Sequence, residues 1–136
     1  MGYQWIDAND LTFTEREAKP NEPSGRFFAD LTGAIGLEHS RARLWRYPAH
    51  TTGRRHRDHA QEEVFVVVSG TMTMLLGDEP ERVDVGPGSV VAVRPMTALQ
   101  LRNESDEELV VFIYGSPPLV EGADMLDDVE LPRASA

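Results

Sequence analysis

Apolar and polar residues along most of this chain alternate, or cluster in runs too short for helices. Residues 64–68 form an almost continuous β-branched and aromatic run, and Ser69-Gly70 gives a tight turn into 71–76, so the two runs read as a hairpin. Gly77-Asp78 and Pro80 predict the next turn, Glu81–Val85 a short strand, and Gly86-Pro87-Gly88 another turn. Val90–Val93, 99–102 and 109–114 follow as strands, the last two separated by an acidic turn over 103–108. Upstream, Arg41–Tyr47 alternates, with Arg43, Trp45 and Tyr47 on one face and Ala42, Leu44 and Arg46 on the other. Either face can look inward.

The first 36 residues lack a sustained period. Residues 12–17 suit a short helical turn, but Pro20, Pro23 and Gly25 forbid a long helix. Phe27-Phe28 followed by Asp30-Leu31-Thr32-Gly33 reads as a short strand ending in a turn. After Ser116-Pro117-Pro118 comes an acidic stretch with a small apolar set, Leu119, Met125, Leu126, Val129 and Leu131, suited to lie along a barrel or a partner. Roughly eight short strands with regular turn signals and little helix predict an all-β sandwich or small barrel. With no repeat and no linker, the reading is one domain: an arm and edge strand over 1–36, a barrel core over 37–116, and an acidic tail over 117–136.

Composition narrows the partners. The chain has 136 residues, a formal net charge of -10 and a pI near 4.7, which argues against nucleic acid and anionic membrane. There is no cysteine, so thiolate chemistry and disulfides are excluded. No apolar run suits a bilayer span and no start resembles a secretory signal, which leaves a cytoplasmic location as the default expectation. The acidity is uneven. Six of the thirteen basic residues, Arg41, Arg43, Arg46, Arg54, Arg55 and Arg57, fall in one segment with no Asp or Glu before Asp58. Guanidinium forks suit a carboxylate or phosphate, although surface pairing with neighbouring acids is the plainer outcome.

The densest chemistry lies in residues 53–70, where His56 and His59 stand just ahead of Glu62-Glu63 and a strand. Imidazole and carboxylate at short spacing on β-structure can aim ligands at a metal ion or a substrate.

This stretch resembles the first motif of the cupins, small jelly-roll barrels: Gly53, a His-x-His-like element, Glu63 and Gly70. Their second motif has counterparts in Gly88-Ser89, the strand Val90–Val93, Pro95 and Asn103. The resemblance implies a double-stranded β-helix (jelly-roll barrel), a homodimer through edge strands, and a pocket that often holds a divalent metal. The departures weaken the metal expectation. Leu99 stands where metal-binding cupins carry a third histidine, Met96 where a glycine is common, and Ser89 where an aspartate is usual. With a three-residue spacer, Arg57, His59 and Glu63 share a face. With the commoner four-residue spacer, His56 and Asp58 do, and a bulge must bring Glu63 round, leaving His59 at the rim.

The expectation is therefore a cupin barrel that binds a small molecule, with His56, Asp58, His59 and Glu63 as candidate metal ligands and iron, manganese, nickel or zinc weakly bound or absent. Its reaction would be of an oxygenase, isomerase or cyclase type. One alternative is a metal-free, non-catalytic binding or sensing barrel; another is a metal-free epimerase using His56, His59 or Glu63 with Tyr47 or Tyr114 as proton carriers. Phe65, Val67, Leu99, Leu101, Met96, Trp45 and Arg43 are the expected pocket walls.

Overall fold

The computed structural model describes residues 2–18, 20, 25–118 and 122–129. In chain order the strands are β1 (Thr14–Arg16), β2 (Arg26–Asp30), β3 (Arg41–Tyr47), β4 (Thr51–Thr52), β5 (His56–Asp58) and β6 (Glu62–Ser69). They continue as β7 (Met72–Leu76), β8 (Glu81–Val85), β9 (Val90–Val93), β10 (Leu99–Asn103), β11 (Leu109–Ser116) and β12 (Ala123–Met125). Among the described residues, helix is confined to a 3-10 turn at Ala8–Asp10 and a single α-turn, α1 (Leu31–Ala34), capped by the Asp30 carboxylate. Among the described residues no helix is long and apolar enough to cross a membrane.

The strands form two antiparallel sheets. One runs β1-β2-β3-β11-β6-β9; the other runs β12-β5-β10-β7-β8, with β4 also on β10. The inward faces supply a shared core of Trp45, Phe65, Val67, Met72, Met74, Leu101, Leu109 and Val111. Alternation explains the choice: on β6, Phe65 and Val67 are buried while Val68 is exposed. On β3 the face that looks inward is the one carrying Trp45 and Tyr47, and Arg46 is outside.

Two local expectations change. The runs either side of Ser69-Gly70 do not form a hairpin. β6 pairs with β11 and β9, whereas β7 pairs with β10 and β8, so this corner carries the chain from one sheet to the other. Gly70 has φ +86° and a Cβ there would lie 2.5 Å from the Glu108 carbonyl oxygen, so both conformation and space require glycine. Residues 14–16 are extended, not helical, because β2 offers them a ladder. The stretch after Gly122 lies along the barrel. β12 pairs with β5, and Leu126 donates its backbone N–H to the Arg55 carbonyl. Val129 and Asp128 then accept hydrogen bonds from Arg102 and Gln100 on the outer face of β10. Leu119 and Leu131 lie outside the described residues.

Candidate functional site

Between the sheets lies a cavity of about 300 Å³, open at one end. One corner of it is formed where the chain crosses between sheets. β5 belongs to the second sheet and β6 to the first, so residues 59–61 make the crossing that brings His56 and Asp58 against Glu63. No bulge is involved. Sharing one strand's parity, the expected constraint on these residues, does not apply across two sheets. The ligand atoms available on His56, Asp58 and Glu63 lie within 4.8 Å of one another.

The geometry of this corner converges on one atom. His56 Nε2 is 3.3 Å from Asp58 Oδ2 and 3.6 Å from Glu63 Oε1. The other ring nitrogen, Nδ1, lies 3.1 Å from the Arg54 carbonyl oxygen, to which it donates. That bond fixes the ring so that Nε2 faces both carboxylates, the same outer-shell support that metal-binding histidines use. Glu63 Oε1 is buried and has no hydrogen-bond partner among the described residues.

Protonation follows from burial and proximity. Burial disfavours the His56 imidazolium, but contacts with Asp58 and Glu63, the Arg54 carbonyl and the Asp58 charge outweigh it and raise the pKa to about 10. Burial also acts on Asp58, yet His56 and the Glu63 contact hold it down to about 2. Glu63 goes the other way: burial, together with the neighbouring Asp58 charge, raises it to about 7 despite His56. Near neutrality the corner is thus an imidazolium, a carboxylate and a carboxyl group poised to release its proton.

Other candidates sort cleanly. His59 points away and places Nε2 2.9 Å from Asp124 Oδ1 on β12, at the rim and outside the trio. Tyr47 lines the cavity and its hydroxyl accepts from Arg26 at 3.1 Å; burial raises its pKa, only partly countered by Arg26, so it remains a neutral phenol. Tyr114 is exposed on the outer face and does not line the cavity. Phe65, Leu99, Leu101, Trp45 and Arg43 line it. Val67 and Met96 do not. Val67 is 1 % exposed in the core beyond the cavity floor, and Met96 is 56 % exposed in the turn before β10, at φ +63°. A glycine would suit that backbone conformation better, and the Met96 N–H does the useful work by bonding the Asp58 carbonyl at 2.7 Å. Leu99 sits directly across the β5–β10 pairing from His56, with an apolar side chain buried against the cavity.

Two basic lining residues had no place in the sequence reading: Arg16 and Arg26, from the segment read as an arm. Their signal was the step of two between Arg26 and Phe28, which places a basic and an aromatic residue on one face of a strand. Gly53 makes room for them. A Cβ there would lie 2.9 Å from the Tyr47 hydroxyl and 3.4 Å from Arg26.

Residues 43–114, just over half of the chain, match the family model described as Cupin domain. The chain belongs to the cupin family. This cupin resembles in structure a sugar phosphate isomerase from a cupin superfamily of Silicibacter pomeroyi, with a TM-score of 0.72, 20% identity, and 83% of this chain and 75% of that chain covered. It also resembles the polyketide cyclase RemF from Streptomyces resistomycificus (TM-score 0.75, 17% identity, 93% and 87% covered). A predicted oxalate decarboxylase from Thermotoga maritima is a third neighbour (TM-score 0.72, 11% identity, 84% and 99% covered). Identities this low speak to the double-stranded β-helix fold alone. No curated protein sequence matches the chain.

Proposed function

We propose that this cupin takes a small organic compound into its cavity beside a divalent metal ion held by His56, Asp58 and Glu63, and acts on it in an isomerase-, cyclase- or oxygenase-type reaction. The observation that carries the reading is the buried Glu63 Oε1, without a hydrogen-bond donor and 3.6 Å from a histidine nitrogen whose ring is already oriented. A buried carboxylate oxygen with no partner is costly, and a cation in reach of all three groups supplies one. One nitrogen and two oxygens suit iron, manganese, nickel or zinc.

When bound, such an ion would act as a Lewis acid that polarises a carbonyl or enol oxygen of the ligand. The chain's own groups supply the rest. Asp58 stays charged over the whole physiological range, and Glu63, near 7, can take up or release a proton. The Tyr47 oxygen accepts from Arg26, which leaves its O–H to donate to a ligand. Phe65, Leu99 and Leu101 make the adjoining wall apolar and limit water. The isomerase and cyclase named among the structural neighbours fall within this class of chemistry.

Leu99 favours a second reading, a non-catalytic binding barrel, because it places no donor opposite His56. The two part on metal uptake. Metal-stripped protein titrated calorimetrically with manganese, iron(II), nickel and zinc should bind one ion per chain. His56→Ala and Glu63→Gln should each weaken uptake by about tenfold or more. No uptake of any of these metals at millimolar concentration, or uptake unchanged in both variants, overturns the metal reading and leaves the binder. A homodimer belongs to the same proposal, supported by the exposed Tyr3 and Trp5 of the N-terminal arm and the free edges of β1 and β9; light scattering would test it.

A further inference from the structure

Eight of the chain's arginines divide by position. Outside the cavity, Arg46 lies 2.9 Å from Glu108, Arg57 3.0 Å from Asp124, Arg82 2.9 Å from Asp84 and Arg102 3.6 Å from Glu104. Around the cavity, Arg16, Arg26, Arg41 and Arg43 have no carboxylate within ion-pair range among the described residues. Scarcity of acids does not explain this, since the chain holds 23 acidic residues against 13 basic ones.

Their arrangement heightens the mutual repulsion. Arg16 and Arg26 are direct cross-strand neighbours on β1 and β2. Arg41 and Arg43 share one face of β3. Like charges so placed destabilise a sheet unless something of opposite sign lies between them. Arg26 is 8 % exposed, and among the described residues its one side-chain hydrogen-bond partner is the neutral Tyr47 hydroxyl. Burying a guanidinium without a counter-charge is unfavourable.

What supports the group is an aromatic bed. Phe28, Trp45 and Tyr47 follow one another at centroid separations of 5.0 and 5.9 Å. Arg16 and Arg26 lie 5.8 and 5.2 Å from the Trp45 ring, and Arg43 4.5 Å from Phe28. Ring faces compensate a cation only in part, but they orient the planar forks. Burial, then the neighbouring Arg41 and Arg16, push the Arg43 pKa down while Asp30 opposes them, as expected of a positive field with little to cancel it.

We propose that this wall is an anion subsite and that the ligand of the cavity carries a compact dianion, either a phosphate monoester or a pair of carboxylates. Forks from three strands can each donate two bonds to such a group, whereas one monoanion would leave most of the positive charge uncancelled. A cavity of about 300 Å³ is at the small end for organic ligands, so the dianion belongs to a metabolite-sized molecule. The inference rests on the cavity being the ligand site and is independent of whether the metal is present.

The test uses metal-free protein in a low-chloride buffer with chelator, and two probes, inorganic phosphate and malonate, read by calorimetry and by thermal melting at matched ionic strength. At least one should bind and raise the melting temperature above the level given by chloride. Arg41→Gln and Arg43→Gln, both partly exposed and checked for folding by circular dichroism, should each weaken binding about tenfold or more. Arg94→Gln, at an exposed turn away from the cavity, should leave it unchanged. Preference for phosphate assigns a phosphate monoester, and preference for malonate a dicarboxylate. Absence of binding by both anions, or equal binding in wild type, Arg41→Gln and Arg43→Gln, overturns the subsite. Glu63→Gln should weaken metal uptake and keep anion binding; anion binding intact in a protein that takes up no metal would support the subsite and remove the metal reading alone.

Discussion

The two walls of the cavity are built on opposite electrostatic plans. At the corner of His56, Asp58 and Glu63, charges of both signs lie within contact distance and largely neutralise one another. Along Arg16, Arg26, Arg41 and Arg43, charges of one sign stand together on aromatic faces, with the Tyr47 phenol and, beyond ion-pair range, Asp30 beside them. A cation entering the corner must displace the proton that His56 holds up to a pKa of about 10, so the protein competes with its own ligand there. An anion reaching the arginines has no such proton to displace. On this plan the corner should bind a metal ion weakly, while a wall whose four arginines have no carboxylate within ion-pair range among the described residues should bind an anion well.

The sharpest way to probe the corner is its pH dependence, through Glu63. Its pKa rises on folding from 4.5 to about 7, so the folded state favours the proton; that stabilisation is complete below 4.5 and is lost as pH climbs through 7. His56, raised from 6.5 to about 10, contributes below 6.5 and loses its contribution as pH climbs to 10. Asp58, depressed from 3.8 to about 2, contributes above 3.8 and loses its share as pH falls toward 2. Glu63→Gln removes the first of these and reduces the other two, because the Glu63 contact also helps to raise His56 and to lower Asp58. Metal-free wild type and Glu63→Gln should be of similar stability near pH 4, and by pH 8 the variant should be the more stable, by up to about 3 kcal/mol. Denaturant unfolding at the two pH values measures it. A constant difference between the proteins would mean that Glu63 is not buried beside Asp58 as described.

Leu99 gives the next largest expected effect. It is paired with His56 across β5 and β10 and buried against the cavity, so an imidazole there would meet the ion from the side that now offers only hydrocarbon. Leu99→His should tighten metal binding by about tenfold, close to 1.4 kcal/mol, in a calorimetric titration at pH 8. The same substitution should leave phosphate and malonate binding close to wild type, because the arginine wall lies on the other sheet. Unchanged metal affinity would place residue 99 outside the coordination range of His56 and Glu63.

How much of this was legible beforehand follows the same divide. The corner lies within residues 56–63, so local spacing and motif resemblance could single out its members. What spacing could not convey was the change of sheet at residues 59–61, which brings ligands together from two strands where parity seemed to demand a bulge. The Ser69-Gly70 corner was misread for the same reason: a tight turn between two strands looks alike whether they pair or separate. The arginine wall was harder to read. Arg41 and Arg43 stood in the arginine-rich segment, but so did Arg46 and Arg57, which pair with acids outside the cavity, while Arg16 and Arg26 came from a stretch without periodicity. Only the β1–β2–β3 register unites the four.

The smallest effect tests the division itself, by the sign of a change in stability. Arg46 and Arg43 are three residues apart on β3 but on opposite faces, one half-exposed beside Glu108 and the other against Phe28 with Arg41 and Arg16 nearby. Arg46→Gln breaks an exposed ion pair and should cost up to about 1 kcal/mol, less in high salt. Arg43→Gln forfeits a ring contact worth about 0.5–1 kcal/mol, but relieves repulsion from two guanidiniums. In anion-free, low-salt buffer, Arg43→Gln should therefore unfold at or slightly above the wild-type temperature, and Arg46→Gln below it. Adding phosphate should reverse the order for Arg43→Gln alone, because wild type gains an anion that the variant holds poorly. Equal destabilisation by both substitutions, unaffected by phosphate, would show that the cavity arginines are as well compensated as the surface ones.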